Sequence, residues 1–277
     1  MVSRFAVCVA ALVASSWAAL AQTSPVLPLA SHRAAYDISL VDSSGPTPSS
    51  AQTPVAATGL IAYEFHGSVC EGYTSNFRQM TEMERSEGEP VSMQVNAMSF
   101  EEANWKSMHF QIDSQGAQDT PPVVGTATRG ADDDLRVVLT KPKAQTLDFG
   151  HEVLFPTQHI EHLIEAAKHG GGAMQARVYD GSDTGAKIFA TMSVIGKEAT
   201  KPADDAQTAS ALSGIRRWPV VISYFNEAAT DAPPEYTLSF DLYENGVSGS
   251  LKLDYGAFAL NARLRKLEIL PATACAK

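Results

Sequence analysis

The sequence predicts an all-β fold, a many-stranded antiparallel sheet that curls, barrel-like, around one packed α-helix. Three observations carry this. Apolar residues recur with period two through both halves of the chain, an Asn-Gly dipeptide marks a tight hairpin near the C-terminus, and a single segment shows convincing helical spacing. A sheet of many strands has to curl and cover its edges, and a lone amphipathic helix has to bury its stripe against that sheet.

The chain opens with a short basic start, Met1–Arg4, an apolar run from Phe5 to Trp17, and a small-x-small site, Ala19-Leu20-Ala21, before Gln22. This is the pattern of a cleaved export signal over residues 1–21. The apolar run is too short for a membrane span, and no cysteine follows Ala21 to take a lipid. The expected mature chain, 22–277, is a soluble single domain in an oxidising compartment. Cys8 leaves with the signal, so Cys70 and Cys275 remain, near opposite ends of the mature chain. One long-range disulfide is the reading this favours, with two buried free thiols as its alternative.

Two stretches lack periodicity and read as mobile surface loops, one near 42–57, rich in Ser, Pro and Thr, and one near 198–213. Ile61, Tyr63 and Phe65 alternate with Ala62 and Glu64, as a strand does. The triple Asp132-Asp133-Asp134 lacks the alternating ligands of a calcium loop and reads as a solvated hairpin tip before the strand that begins at Leu135. Helical spacing begins after Phe155-Pro156, where Thr157 is the expected cap, and continues through Ile160, Leu163, Ile164 and Ala167 to a stop at Gly170-Gly171-Gly172. Tyr236, Leu238, Phe240 and Leu242 form another alternating run. Asn245-Gly246 then turns the chain into Leu251, Leu253 and Tyr255, and Leu264, Leu267 and Ile269 close a C-terminal meander.

Composition narrows the function. A formal charge of −10, with no basic cluster larger than Arg216-Arg217, argues against nucleic acid and anionic membrane surfaces as partners. No Gly-x-Ser-x-Gly elbow and no Cys-x-x-Cys pair is present, which removes the usual signs of nucleophilic and thiol-redox chemistry. Potential metal ligands are densest at His159, Glu161, His162, Glu165 and His169. Helical spacing puts His159 and His162 on one face, but the His-Glu-x-x-His order of zinc proteases is missing. The plainer reading makes these residues the polar side of an amphipathic helix, with no metal and no cofactor. Tyr63, Phe65, Tyr73, Phe77, Trp105 and other aromatic residues either fill the core or line an interior that takes a lipid or peptide.

The run Gly59-Leu60-Ile61-Ala62-Tyr63-Glu64-Phe65-His66-Gly67-Ser68-Val69-Cys70-Glu71-Gly72-Tyr73 resembles the EipB family of periplasmic envelope-integrity proteins. His32-Arg33-Ala34-Ala35-Tyr36-Asp37, Phe155-Pro156-Thr157-Gln158-His159 and Asp254-Tyr255-Gly256 with Cys275 are similar to further segments of that family, in the same order. The resemblance implies a spiral-like, incompletely closed β-barrel with a packed helix, and a disulfide joining Cys70 and Cys275. It also implies that Gly72 and Tyr73 are structural supports beside Cys70, and that the protein keeps the bacterial envelope intact under stress. No catalytic residue follows from it. Two functions are therefore carried forward: a non-catalytic periplasmic protein that binds an envelope protein or an apolar ligand, and a metal-dependent or hydrolytic enzyme built on His159, His162 and His169.

Overall fold

A computed structural model describes residues 28–41, 53–116, 120–200, 210–229, 231–272 and 275. The expected export signal and most of both expected loops, 42–52 and 201–209, lie outside these residues. In chain order the elements are β1 (His32–Leu40), β2 (Pro54–Ser68), β3 (Gly72–Arg85), β4 (Val91–Glu101), β5 (Ser107–Gln115), β6 (Thr120–Arg129), β7 (Leu135–Lys141), β8 (Gln145–Asp148) and β9 (Val153–Leu154). The helix α1 (Pro156–Lys168) follows, then β10 (Gly172–Val178), β11 (Phe189–Ile195), β12 (Arg217–Asn226), β13 (Tyr236–Tyr243), β14 (Ser248–Asp254) and β15 (Ala259–Ile269).

All the strands join one sheet of 15, in the order β8-β7-β6-β5-β4-β3-β2-β1-β15-β14-β13-β12-β11-β10-β9. The chain is thus an antiparallel meander whose first and last strands pair with each other, while the middle of the chain supplies both free ends. The curl is left open at β8 and β9, which adjoin in sequence but not in the ladder. At this opening β9 runs parallel to β10, and α1 makes the crossover between them.

Period two accounts for what faces inward. Ile61 and Phe65 are buried while Leu60 is 40% exposed, so a one-residue slip of β2 would turn its apolar set to solvent. The strand is longer at its start than the sequence reading allows. Pro54–Ala57 belongs to β2 and not to a loop, because β3 extends to Arg85 and Ala57 lies buried opposite Met83. At the other expected loop, Leu212 is buried in the cluster that holds Tyr36, Ile61 and Leu264, so that end is anchored by its apolar side chain. Asp132–Asp134 does form an exposed turn between β6 and β7.

The helix lays Leu163, Ile164 and Ala167 on Trp218, Val220, Ile222 and Leu242, inward residues of β12 and β13. Each fully buried aliphatic side chain there contributes about 1.5–3 kcal/mol. The helix ends at Lys168, and the amide of Gly171 donates back to the Ala166 carbonyl at 3.0 Å. Its start departs from the sequence reading. Phe155 occupies the cap position, Pro156 sits at the first helical position, and Thr157 is inside the helix, where it receives its acceptor from another part of the chain.

Candidate functional site

That acceptor is Glu101, the last residue of β4. Its side chain is 1% exposed and takes hydrogen bonds from the Thr157 amide at 3.0 and 3.1 Å and from the Thr157 hydroxyl at 2.8 Å. A carboxylate here meets the unpaired N–H groups and the positive end of the helix dipole. Burial nonetheless pushes the Glu101 carboxyl up to about 7, against the lowering pull of its bonds to Thr157 and to the Gln158 amide. One turn on, the Glu161 carboxylate accepts from the Tyr73 hydroxyl at 3.4 Å.

Tyr73 places the cysteine pair within the same frame. The sulfurs of Cys70 and Cys275 lie at bonding distance, with Cα atoms 5.7 Å apart across 205 residues of sequence. Gly72 follows at φ +87°, and a Cβ there would stand 2.5 Å from the Glu101 carbonyl oxygen, so this position requires glycine. The Tyr73 ring, 2% exposed, then stacks between Phe65 at 5.5 Å and Trp105 at 5.7 Å. The turn bearing Cys70 therefore reaches α1 through one side chain.

Arg129, at the end of β6, makes the second attachment. With a side chain only 5% exposed, it donates to the carbonyls of Trp105 and Val153 and to Gln158 Oε1, and its guanidinium lies 4.7 Å over the Phe155 ring. Arg177 on β10 reaches across the opening to the carbonyls of Phe149 and His151 while pairing with Glu227. At β8 and β9, side chains of two arginines replace the backbone ladder.

Sequence reasoning missed Glu101 and Arg129, although a signal for both exists. Glu101 continues the inward phase of Val95, Ala97 and Ser99, and Arg129 that of Val123, Gly125 and Ala127. A charge in the buried phase of a strand needs a partner inside.

The histidines of the helix are not brought together. His159 is 3% exposed, and its Nε2 has no hydrogen-bond partner among the described residues. Burial, with His162 nearby, lowers its pKa to about 4 and keeps it neutral. His162 and His169 are exposed and about 10 Å apart along the axis, and His169 Nδ1 is engaged with the Glu165 carbonyl at 2.9 Å. Among the described residues no group of three His, Cys, Asp or Glu side chains is placed to hold a metal ion. The geometry gives no support to the enzyme reading built on this cluster.

Two spaces adjoin the helix. An interior cavity of about 90 Å³ is lined by His32, Tyr63, Phe65, Glu101, Thr157 and Ile160 among others. It has room for a few waters and falls well short of the roughly 300 Å³ of a small-molecule site. Outside it, at the open end of the sheet, a groove of about 800 Å³ is lined by Leu154, Ala190, Met192 and Phe225, by His162 and Gln175, and by the charged Glu152 and Arg177. Among the described residues no helix is long and apolar enough to cross a membrane.

Comparison with known proteins places this architecture. The cell envelope integrity protein EipB of Brucella abortus (strain 2308) is 33% identical over 268 residues, covering 95% of this chain and 94% of its own. A crystal structure of a beta-barrel-like protein of domain of unknown function DUF1849, also from Brucella abortus, superposes with a TM-score of 0.80 at 34% identity, covering 88% of this chain and all of the other. The profile of the EipB-like family matches residues 23–271, and the chain belongs to that family.

Proposed function

We propose that this is a non-catalytic periplasmic protein that maintains the integrity of the bacterial cell envelope under stress, and that it does so by binding another envelope protein. The observation that carries the proposal is the end-to-end match to a relative named as a cell envelope integrity protein. The export signal over residues 1–21 supports the compartment, and the acidic charge disfavours nucleic acid and anionic membrane as partners. Among binding modes, a protein partner is favoured over an enclosed lipid, because the cavity beside the helix is about 90 Å³ whereas the open end of the sheet offers a groove about nine times larger.

The test is survival of a deletion strain on detergent and on a cell-wall antibiotic, with the wild-type or the Cys70→Ser chain supplied in trans. Hypersensitivity that the wild-type chain reverses is the expected result. Unchanged survival of the deletion strain contradicts the proposal.

A further inference from the structure

The N–H and C=O groups along β10 alternate between its two neighbours. The Tyr179 amide donates to the Leu154 carbonyl at 3.0 Å, so odd-numbered residues of this strand turn their backbone groups toward β9. Even-numbered residues turn theirs toward β11. Because β9 pairs only with Arg177 and Val178, and Gly171 is taken by the helix end, Ala173 and Gln175 face no strand among the described residues. Their four backbone groups have no partner among the described residues, both side chains are exposed, and β10 runs through this stretch without a bulge.

Exposed edges are normally defended by lysine, proline, a bulge or a covering element. The opposite lip follows that rule, since β8 is short, polar, and reached through Lys141-Pro142-Lys143. The lip at β10 does not: Gly172-Ala173-Met174-Gln175 carries no charge and no proline, and Gln175 also lines the large groove to which Leu154, Met192 and Phe225 contribute apolar surface.

We propose that the free edge of β10 captures an extended segment of a partner polypeptide, which adds to the sheet as a strand where β9 stops. This rests on the envelope-binding reading above and names the site and the chemistry of its partner. Ala173 and Gln175 supply up to four backbone hydrogen bonds, and alternate apolar side chains of the captured segment enter the groove. The strand from Gly172 to Ala176 spans about 16 Å. Glu152 and Arg177 both line the groove, but Arg177 is paired with Glu227 and so leaves Glu152 as the uncompensated charge; Glu165 lies one turn beyond His162, and the whole chain carries −10. The segment that fits has apolar residues at alternate positions and basic residues at its flanks.

The test uses the chain from residue 22, labelled with ¹⁵N, and a synthetic peptide, Lys-Thr-Val-Thr-Val-Thr-Lys, with a control that has proline at its central position. Slowed exchange and shifted resonances at Ala173 and Gln175 with millimolar peptide, and no such change with the control, are expected. Gln175→Pro removes an N–H that β11 does not use, so the β10–β11 ladder stays intact while affinity falls by about tenfold or more. Ala173→Lys, at an exposed position, weakens binding by charge repulsion and serves if the proline variant fails to fold. No response at these two amides, or equal affinity in a folded Gln175→Pro chain, overturns the proposal. So does protection of both amides in the protein alone that grows with its concentration, which would assign the edge to a second copy of the chain. Survival of the deletion strain separates the two levels: sensitivity without peptide capture leaves the envelope role standing and removes the edge, and capture with unchanged survival does the reverse.

Discussion

The barrel wall has two seams, and they are built differently. At the first, β1 and β15 bring the two ends of the described chain together through nine register pairs, from His32 with Ile269 to Leu40 with Leu260, with one irregularity at Ala35 and Tyr36. At the second, β8 and β9 share no pairs, and the gap is spanned by Arg129, Arg177 and the docked helix. The backbone ladder closes the wall where the chain's ends meet, and side chains hold it where the chain merely turns. The first seam is suited to stability, and the second is where the proposed strand capture takes place.

The largest effect is expected at the first seam. Cys70 and Cys275 tie the turn between β2 and β3 to the chain just beyond β15, and closing 205 residues of sequence is worth about 5 kcal/mol in the chain-entropy model. Cys70→Ser is expected to lower Tm by roughly 10 °C or more while far-UV circular dichroism keeps its strand signature. A Tm equal to the wild type's would show that β1 and β15 hold the seam without the cysteines.

Next comes the second seam. Arg129→Ala leaves the carbonyls of Trp105 and Val153 and the amide oxygen of Gln158 without their donor, and is expected to cost about 3 kcal/mol in urea denaturation. An effect below about 1 kcal/mol would mean that helix packing alone holds this side.

A third pair of variants separates two opposed titrations. Glu101 is raised to about 7 in the folded chain, so the unfolded state releases its proton first, and stability from this group falls as pH rises from about 4.5 to 7. His159 is lowered to about 4, so the unfolded state takes up a proton first, and stability from this group falls as pH drops from about 6.5 to 4. Where the windows overlap, between about pH 4.5 and 6.5, these two slopes oppose each other. Glu101→Gln keeps an acceptor for Thr157 and removes the opposing slope, so its stability should climb by about 2–3 kcal/mol relative to the wild type across that range. His159→Gln should expose the opposite slope. Parallel profiles for all three chains would show that neither group is buried as described.

The smallest effect is expected from Arg177→Ala. Its pairing with Glu227 is about a third exposed to solvent, against the buried Arg129, so the global loss should stay below about 1 kcal/mol, while hydrogen exchange near Phe149 and His151 quickens. A loss as large as that of Arg129→Ala would erase the distinction between the buried and the exposed bridge.

These contrasts also explain what could be read in advance. The wall was legible because period two in Ile61, Tyr63 and Phe65, or in Tyr236, Leu238, Phe240 and Leu242, is imposed by one-sided burial within each strand. The helix was legible from Ile160, Leu163, Ile164 and Ala167 for the same reason. Its cap was not, since Thr157 looks like a local cap and is served by Glu101, 56 residues away. The start of β2 at Pro54 was hidden because Pro54–Ala57 has little strand preference of its own and is extended by pairing with β3. The open flank of Ala173 and Gln175 has no sequence signature either. It arises because β9 is two residues long, which is a property of the ladder and not of any side chain.

The central claim is that the two seams differ in their backbone pairing, and residue-resolved hydrogen exchange of the chain from residue 22 tests it most directly. The amides of Ala173 and Gln175 are expected to exchange close to the rate of an open chain, although they lie within a regular strand. The ladder-bonded amides of β1 and β15 should be protected to nearly the level of global unfolding. Equal protection at both seams would contradict the account, because it would mean that the wall is closed all the way round.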